Sequence, residues 1–171
     1  MPSAPEVTIL ICDDDEITLK DNLRITQDAE SNLGIACNIL TFENGQSAFD
    51  WINEHGHAKG IVLLTDGSMP EMNGWQLLST LQAQDLLPKQ AIVCAQISST
   101  GFSNLASQAL GVTSGDVGNF VSFCAKDLKY HLLPKLLEEK LKSAFDELSP
   151  PRAAAQMPPP GSGSGPGPTP R

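Results

Sequence analysis

Ionisable side chains collect where apolar runs of this sequence end. Asp13 and Asp14 follow Glu-Val-Thr-Ile-Leu-Ile-Cys at 6–12, Asp66 follows Ile-Val-Leu-Leu-Thr at 61–65, and Lys126 follows Phe-Val-Ser-Phe-Cys-Ala at 120–125. Carboxylates brought close together repel, and their pKa values rise unless a cation sits among them. A donor set made only of carboxylate oxygens and a turn carbonyl, with positions left open, suits Mg²⁺. A lysine opposite adds a compact positive charge able to meet a phosphoryl oxygen. Carboxylate, Mg²⁺ and lysine together make a site for forming an aspartyl phosphate, with Asp66 as the reacting group. Taken alone, Asp66 is an ordinary loop carboxylate ahead of a turn. What singles it out is that the other three can arrive beside it.

Whether they do depends on the elements that carry them. The β-branched run 6–12 reads as an interior strand. Ile17, Leu19, Leu23 and Thr26 recur at near-helical spacing, predicting a helix from about Glu16 to about Ala29 that Asn32 and Gly34 break. A second strand is expected over 35–42, a turn at Glu43-Asn44-Gly45, and a helix over 46–54. Gly60 opens the third strand, which ends at Asp66; Met69-Pro70 and Asn73-Gly74 then turn the chain. Leu77, Leu78 and Leu81 predict a helix from Trp75 to Leu87, stopped by Pro88. A fourth strand covers 91–95 and could reach Ile97, a weaker helical pattern passes Leu105, Ala109 and Leu110, and glycines mark 111–119 as a loop. The fifth strand is 120–125. Leucines at 136, 137, 141 and 148, with Ala144 and Phe145, predict a last helix with Pro134 in its first turn. Five strand–helix alternations predict an α/β fold, a five-stranded parallel sheet wrapped by helices on both faces. In such a sheet the strands' carboxyl ends share one edge, where ligands bind.

Composition limits the alternatives. A chain of 171 residues, 40% hydrophobic and 5% aromatic, can build one domain with an aliphatic core. Its net charge of -9, without any Lys or Arg run, argues against direct nucleic-acid binding and favours cations and basic partners. No basic segment followed by an apolar core opens the chain, so no secretory signal is expected, and no apolar run is long enough for membrane insertion. Cys12, Cys37, Cys94 and Cys124 lie in apolar stretches without a CxxC pair, which reads as reduced, buried thiols of a cytoplasmic protein rather than a zinc site. His55 and His57 flank Gly56 in a loop-like context and are expected in solvent. The boundaries are an extension at 1–5, one domain at 6–148 and a Pro/Gly-rich tail at 149–171, which lacks the residues to bury a core and is expected to be disordered.

The apolar strand into Asp13-Asp14, the run Asp66-Gly67-Ser68-Met69-Pro70-Glu71-Met72-Asn73-Gly74 and Lys126 after a further apolar strand together resemble the receiver domain of two-component response regulators. The resemblance covers about 6–148. It implies a flavodoxin-like doubly wound strand order and phosphorylation of Asp66 by a histidine kinase or phosphotransfer protein. It implies that Asp13 and Asp14 form the acidic pocket, Asp13 acting through water, and that Asp14, Asp66 and the backbone carbonyl of Ser68 hold Mg²⁺. It also implies a stand-alone, non-enzymatic receiver that catalyses only its own phosphorylation and dephosphorylation and signals by contact with a downstream protein. The face formed by the fourth helix, fifth strand and fifth helix is the implied contact. The leucine-rich last helix also leaves room for a homodimer.

The sequence departs from that family at the parts that relay the signal. A Thr or Ser is expected at the end of the fourth strand; spacing favours Gln96, whereas hydroxyl chemistry favours Ser98. Asp127 stands after Lys126 where the family has proline. Phe123 takes the place of the switch aromatic, without a tyrosine's hydroxyl, and also reads as an ordinary strand-core residue. These departures motivate an alternative, a degenerate receiver serving as a phosphorylation-independent scaffold. A third reading is a phosphohydrolase of the haloacid dehalogenase type, whose nucleophile would be Asp13 in Asp13-x-Asp15; it leaves the Asp66 run unexplained.

Overall fold

Short β-branched and aliphatic runs become strands and the amphipathic stretches between them become helices. The computed structural model describes residues 6–55 and 59–149. In chain order the elements are β1 (Val7–Cys12), α1 (Glu16–Leu33), β2 (Cys37–Phe42), α2 (Gly45–His55), β3 (Ile61–Asp66), α3 (Gly74–Ala83), β4 (Gln90–Ala95), α4 (Ser99–Leu110), β5 (Ser122–Ala125) and α5 (Lys129–Leu148). Single 3-10 turns lie at Val117–Asn119 and Lys126–Leu128. The expected extension at 1–5, the tail from 150 and His57 lie outside the described residues.

Every strand pairs in parallel, in the order β2-β1-β3-β4-β5. That is the flavodoxin-like doubly wound order, and it puts β3, buried along its whole length, at the centre. Alternation along the strands sends Leu10 and Leu63 to one face, with Ala48, Ile52, Leu77, Leu78, Leu81 and Phe102 of α2, α3 and α4. Ile9, Ile11, Val62 and Leu64 point to the other, against Ile25 and Ala29 of α1 and Leu133, Leu137 and Leu141 of α5. Each leucine buried in this way contributes roughly 2 kcal/mol of hydrophobic stabilisation. The α5 leucines at 133, 137 and 141 are fully buried on the sheet, so that stripe is already covered within the chain.

Several boundaries differ from those the residue pattern predicts. α1 runs through exposed Asn32 and stops only at Gly34, whose left-handed conformation (φ 63°) lets its N–H reach Glu30 O. α3 ends at Ala83 rather than Leu87, because Leu86 N closes back on Leu81 O at 2.8 Å and Asp85 takes a left-handed turn. β4 stops at Ala95, short of Ile97. α5 begins at Lys129, so Pro134 sits inside the helix and not in its first turn. The proline cannot donate to the turn before it, but burial of Leu133 and Leu137 on either side carries the helix through.

Candidate functional site

The parallel register sets the positions of the reactive groups. Cys12 pairs with Thr65, Asp66 with Cys94, and Ala95 with Ala125. Asp13, Asp66 and Lys126 therefore emerge together at the carboxyl edge of neighbouring strands. Lys126 Nζ lies 2.9 Å from Asp66 Oδ1. One carboxylate oxygen each from Asp13, Asp14 and Asp66 falls within 4.8 Å of the others. Asp13 is 1% exposed and Asp66 5%, whereas Asp14 faces solvent. The four residues that the strand exits single out are thus brought together.

Electrostatics follow from this crowding. Burial pushes the Asp13 carboxyl up to about 6; a hydrogen bond from Asp15 N works against that, the charge of Asp66 adds to it, Lys126 lowers it and Asp14 raises it further. Asp13 Oδ1 accepts from Asp15 N at 2.9 Å, while its buried Oδ2 has no partner. For Lys126, burial favours the neutral amine, but the hydrogen bond and charge of Asp66, helped by Asp13, more than offset it and its pKa is raised. An orphaned, buried carboxylate oxygen beside two more carboxylates is an oxygen-only donor set that a small hard dication such as Mg²⁺ fits. Among the described residues this is the one cluster with such spacing.

The loop after β3 is held by its backbone. Gly67 N donates to Cys94 O (3.0 Å) and Gly74 N to Gly67 O (3.1 Å), closing the turn that carries Ser68 past Asp66. A Cβ on Gly74 would meet Asp66 O at 2.1 Å, so only glycine allows this approach. Asn73 and Gln76 then form a reciprocal capping box that starts α3. Asp66, Gly67, Ser68, Trp75, Ala95, Gln96, Ile97 and Lys126 line a cleft of about 190 Å³. Ser68 is exposed at its rim.

Of the two candidates for the strand-end hydroxyl, Ser98 caps α4, its Oγ accepting from Gly101 N at 3.1 Å. Gln96 is exposed on the cleft's rim. The last residue of β4 is Ala95, which pairs with the residue before Lys126 and has no hydroxyl. Phe123 is half-buried and stacks on Phe102, centroids 4.6 Å apart; Phe102 in turn meets Trp75 at 5.6 Å. Ala95 and Trp75 are the cleft residues the sequence reading missed. Asp15 stays out of the acidic cluster as the N-cap of α1, accepting from Thr18 N, and Glu16 pairs with Lys20 at 2.8 Å. The described chain has no cis peptide bond, so Lys126-Asp127 is trans and opens the 3-10 turn.

No family model matches the sequence, and no curated protein sequence does. Solved structures are similar in shape. A signal receiver domain of an HD domain-containing protein from Pseudomonas fluorescens superposes with a TM-score of 0.61 at 13% identity, over 84% of this chain and 100% of that one. The fold is that of a response regulator receiver domain. A Francisella response regulator receiver domain gives 0.56 at 23% identity, over 80% and 98%. CheY from Borrelia burgdorferi, in a complex with CheX, BeF3 and Mg²⁺, gives 0.55 at 22%, over 81% and 89%. The receiver fold thus accounts for most of the described chain. No described helix is long and apolar enough to cross a membrane.

Proposed function

We propose that this protein accepts a phosphoryl group on Asp66 and signals through contact with another protein. The observation that carries this reading is the Lys126–Asp66 ion pair beside Asp13 and Asp14 at the sheet's carboxyl edge. In the transfer an Asp66 carboxylate oxygen attacks phosphorus. The new O–P bond forms as the donor's N–P or O–P bond breaks, and the leaving group departs with the electron pair. Lys126 moves from the carboxylate toward the phosphoryl oxygens and balances their charge. Asp13, Asp14 and Asp66, with the Ser68 carbonyl, would hold Mg²⁺. When bound, that ion offsets the repulsion among the carboxylates and the charge gathering on the phosphoryl group. Burial of Asp13 and Asp66 keeps solvent from competing with these contacts.

The donor is a histidine kinase or histidine phosphotransfer protein, and the chain catalyses only its own phosphorylation and dephosphorylation. Four free cysteines suit a reducing, cytoplasmic setting. The similar CheY from Borrelia burgdorferi, held with CheX, BeF3 and Mg²⁺, supports both a protein partner and the ion. Incubation with Mg²⁺ and acetyl phosphate, read by intact mass, should give one phosphoryl adduct on wild type and none on Asp66→Asn. An unmodified wild type, under conditions that label a known receiver, would overturn this reading. It would leave the second one, a receiver fold used as a scaffold, which the missing hydroxyl at Ala95 favours.

A further inference from the structure

β4 ends on Ala95, whose methyl offers no polar contact to a group carried by Asp66. Trp75, in the first turn of α3, lies where that contact would come from. A Cβ built on Gly67 would fall 3.2 Å from Trp75 Nε1 and 3.3 Å from Ala95 Cβ. The polar edge of the indole and the Ala95 methyl therefore meet over Gly67, the residue next to Asp66. Trp75, Ala95, Asp66 and Lys126 line one cleft. Glycine at 67 and alanine at 95 are the two small residues that make room for the ring there.

The indole is held rather than loose. The Asn73–Gln76 capping box fixes the helix turn that carries it. Phe102 packs against its ring at a 55° tilt, and Phe123 stacks behind Phe102. Its N–H can only donate, and it donates to no protein acceptor among the described residues. Such a donor beside a cleft calls for an acceptor when the cleft fills.

We propose that Trp75 Nε1–H donates a hydrogen bond to the phosphoryl group carried by Asp66, in the place of the absent β4 hydroxyl. The proposal rests on phosphorylation of Asp66. It also makes the Trp75–Phe102–Phe123 contacts the route by which occupancy of the cleft is felt on α4 and β5, since Phe102 packs on the indole and Phe123 on Phe102.

Two measurements test it on the full chain. The wild type, labelled with ¹⁵N at indole nitrogen, is titrated with beryllofluoride and Mg²⁺; Trp51→Phe identifies the Trp75 signal. The Trp75 indole N–H should move downfield and exchange more slowly with solvent. Second, acetyl phosphate labelling with Mg²⁺ is followed by intact mass for wild type, Trp75→Phe and Trp75→Phe/Ala95→Ser. Trp75→Phe should retain labelling but shorten the lifetime of the adduct or slow its formation roughly tenfold or more, the worth of one hydrogen bond to a charged group. Ala95→Ser should recover most of the loss. Equal behaviour of Trp75→Phe and wild type, or an indole signal unmoved by beryllofluoride, overturns the proposal while leaving Asp66 as acceptor. No adduct on wild type overturns the acceptor reading and this proposal with it.

Discussion

Asp13 carries a buried carboxyl oxygen that no protein group meets, and a titration should expose it. Its ordinary value of 3.8 is raised to about 6 in the folded chain, chiefly by burial. For an acid the sign is direct: between these values the folded state binds the proton more tightly than the unfolded state. The Asp13 contribution therefore falls as pH rises from about 4 to about 6 and stays constant above. The difference in melting temperature between Asp13→Asn and wild type, free of divalent ions, should grow over that window in favour of the variant. Added Mg²⁺ should raise the wild-type melting temperature most above pH 6 and hardly at all near pH 4. A difference curve flat from pH 4 to 7 would show that Asp13 ionises as freely as in the unfolded chain. At this scale Asp13, Asp14, Asp66 and Lys126 were legible together, because a parallel sheet brings its strand ends to one edge and charges far apart in sequence converge there. Ala95 and Trp75 were not. An alanine and a tryptophan carry no pattern of their own, and their meeting over Gly67 depends on where β4 stops and how α3 is rotated.

Two elements, β3 and α3, meet in the turn 67–74, and its tolerances are uneven. Gly74→Ala would press a methyl onto Asp66 O, backbone that cannot swing aside. It should cost about 2 kcal/mol or more in chemical denaturation and also displace Asp66, lowering phosphoryl labelling. Asn73→Ala removes the side-chain half of the capping box and should cost only about 1 kcal/mol, with labelling of Asp66 kept. Equal losses in the two variants would mean that the turn yields where the structure shows none to spare. The turn was readable from Met69-Pro70 and Asn73-Gly74, whereas helix limits were less so. Proline's preference for a first turn points to a start of α5 at Pro134, yet Lys129 to Leu133 are already helical ahead of it. Burial of Leu133 outweighs one missing N–H, and a local rule could not register that. The residue pattern overextends α3 for the converse reason: Leu86 and Leu87 continue its apolar spacing, but the left-handed Asp85 has already turned the chain.

Across the whole molecule one sheet separates two cores, and its strands belong to both. Strand–helix alternation made the α/β class legible, along with the shared carboxyl edge on which the site depends. Which helices share a face is set by the order β2-β1-β3-β4-β5, a long-range arrangement that local spacing does not encode. That arrangement predicts how damage spreads. Leu78, beneath α3, and Leu137, beneath α5, are fully buried on opposite faces. Replacing either with alanine should cost about 3 kcal/mol, the transfer and cavity terms of a closed leucine site. Trp51 and Trp75 both pack on the Leu78 side. If the faces were independent, Leu137→Ala would lower the far-UV circular dichroism midpoint and leave tryptophan fluorescence behind. Because Leu63 and Leu64, adjacent on β3, point into different cores, neither core can melt while the strand stays paired. Both signals should therefore shift together in urea, by equal amounts, for Leu137→Ala as for Leu78→Ala. Separate midpoints in the α5 variant would show that the face away from the tryptophans unfolds alone, and that the sheet does not bind the two cores into one cooperative unit.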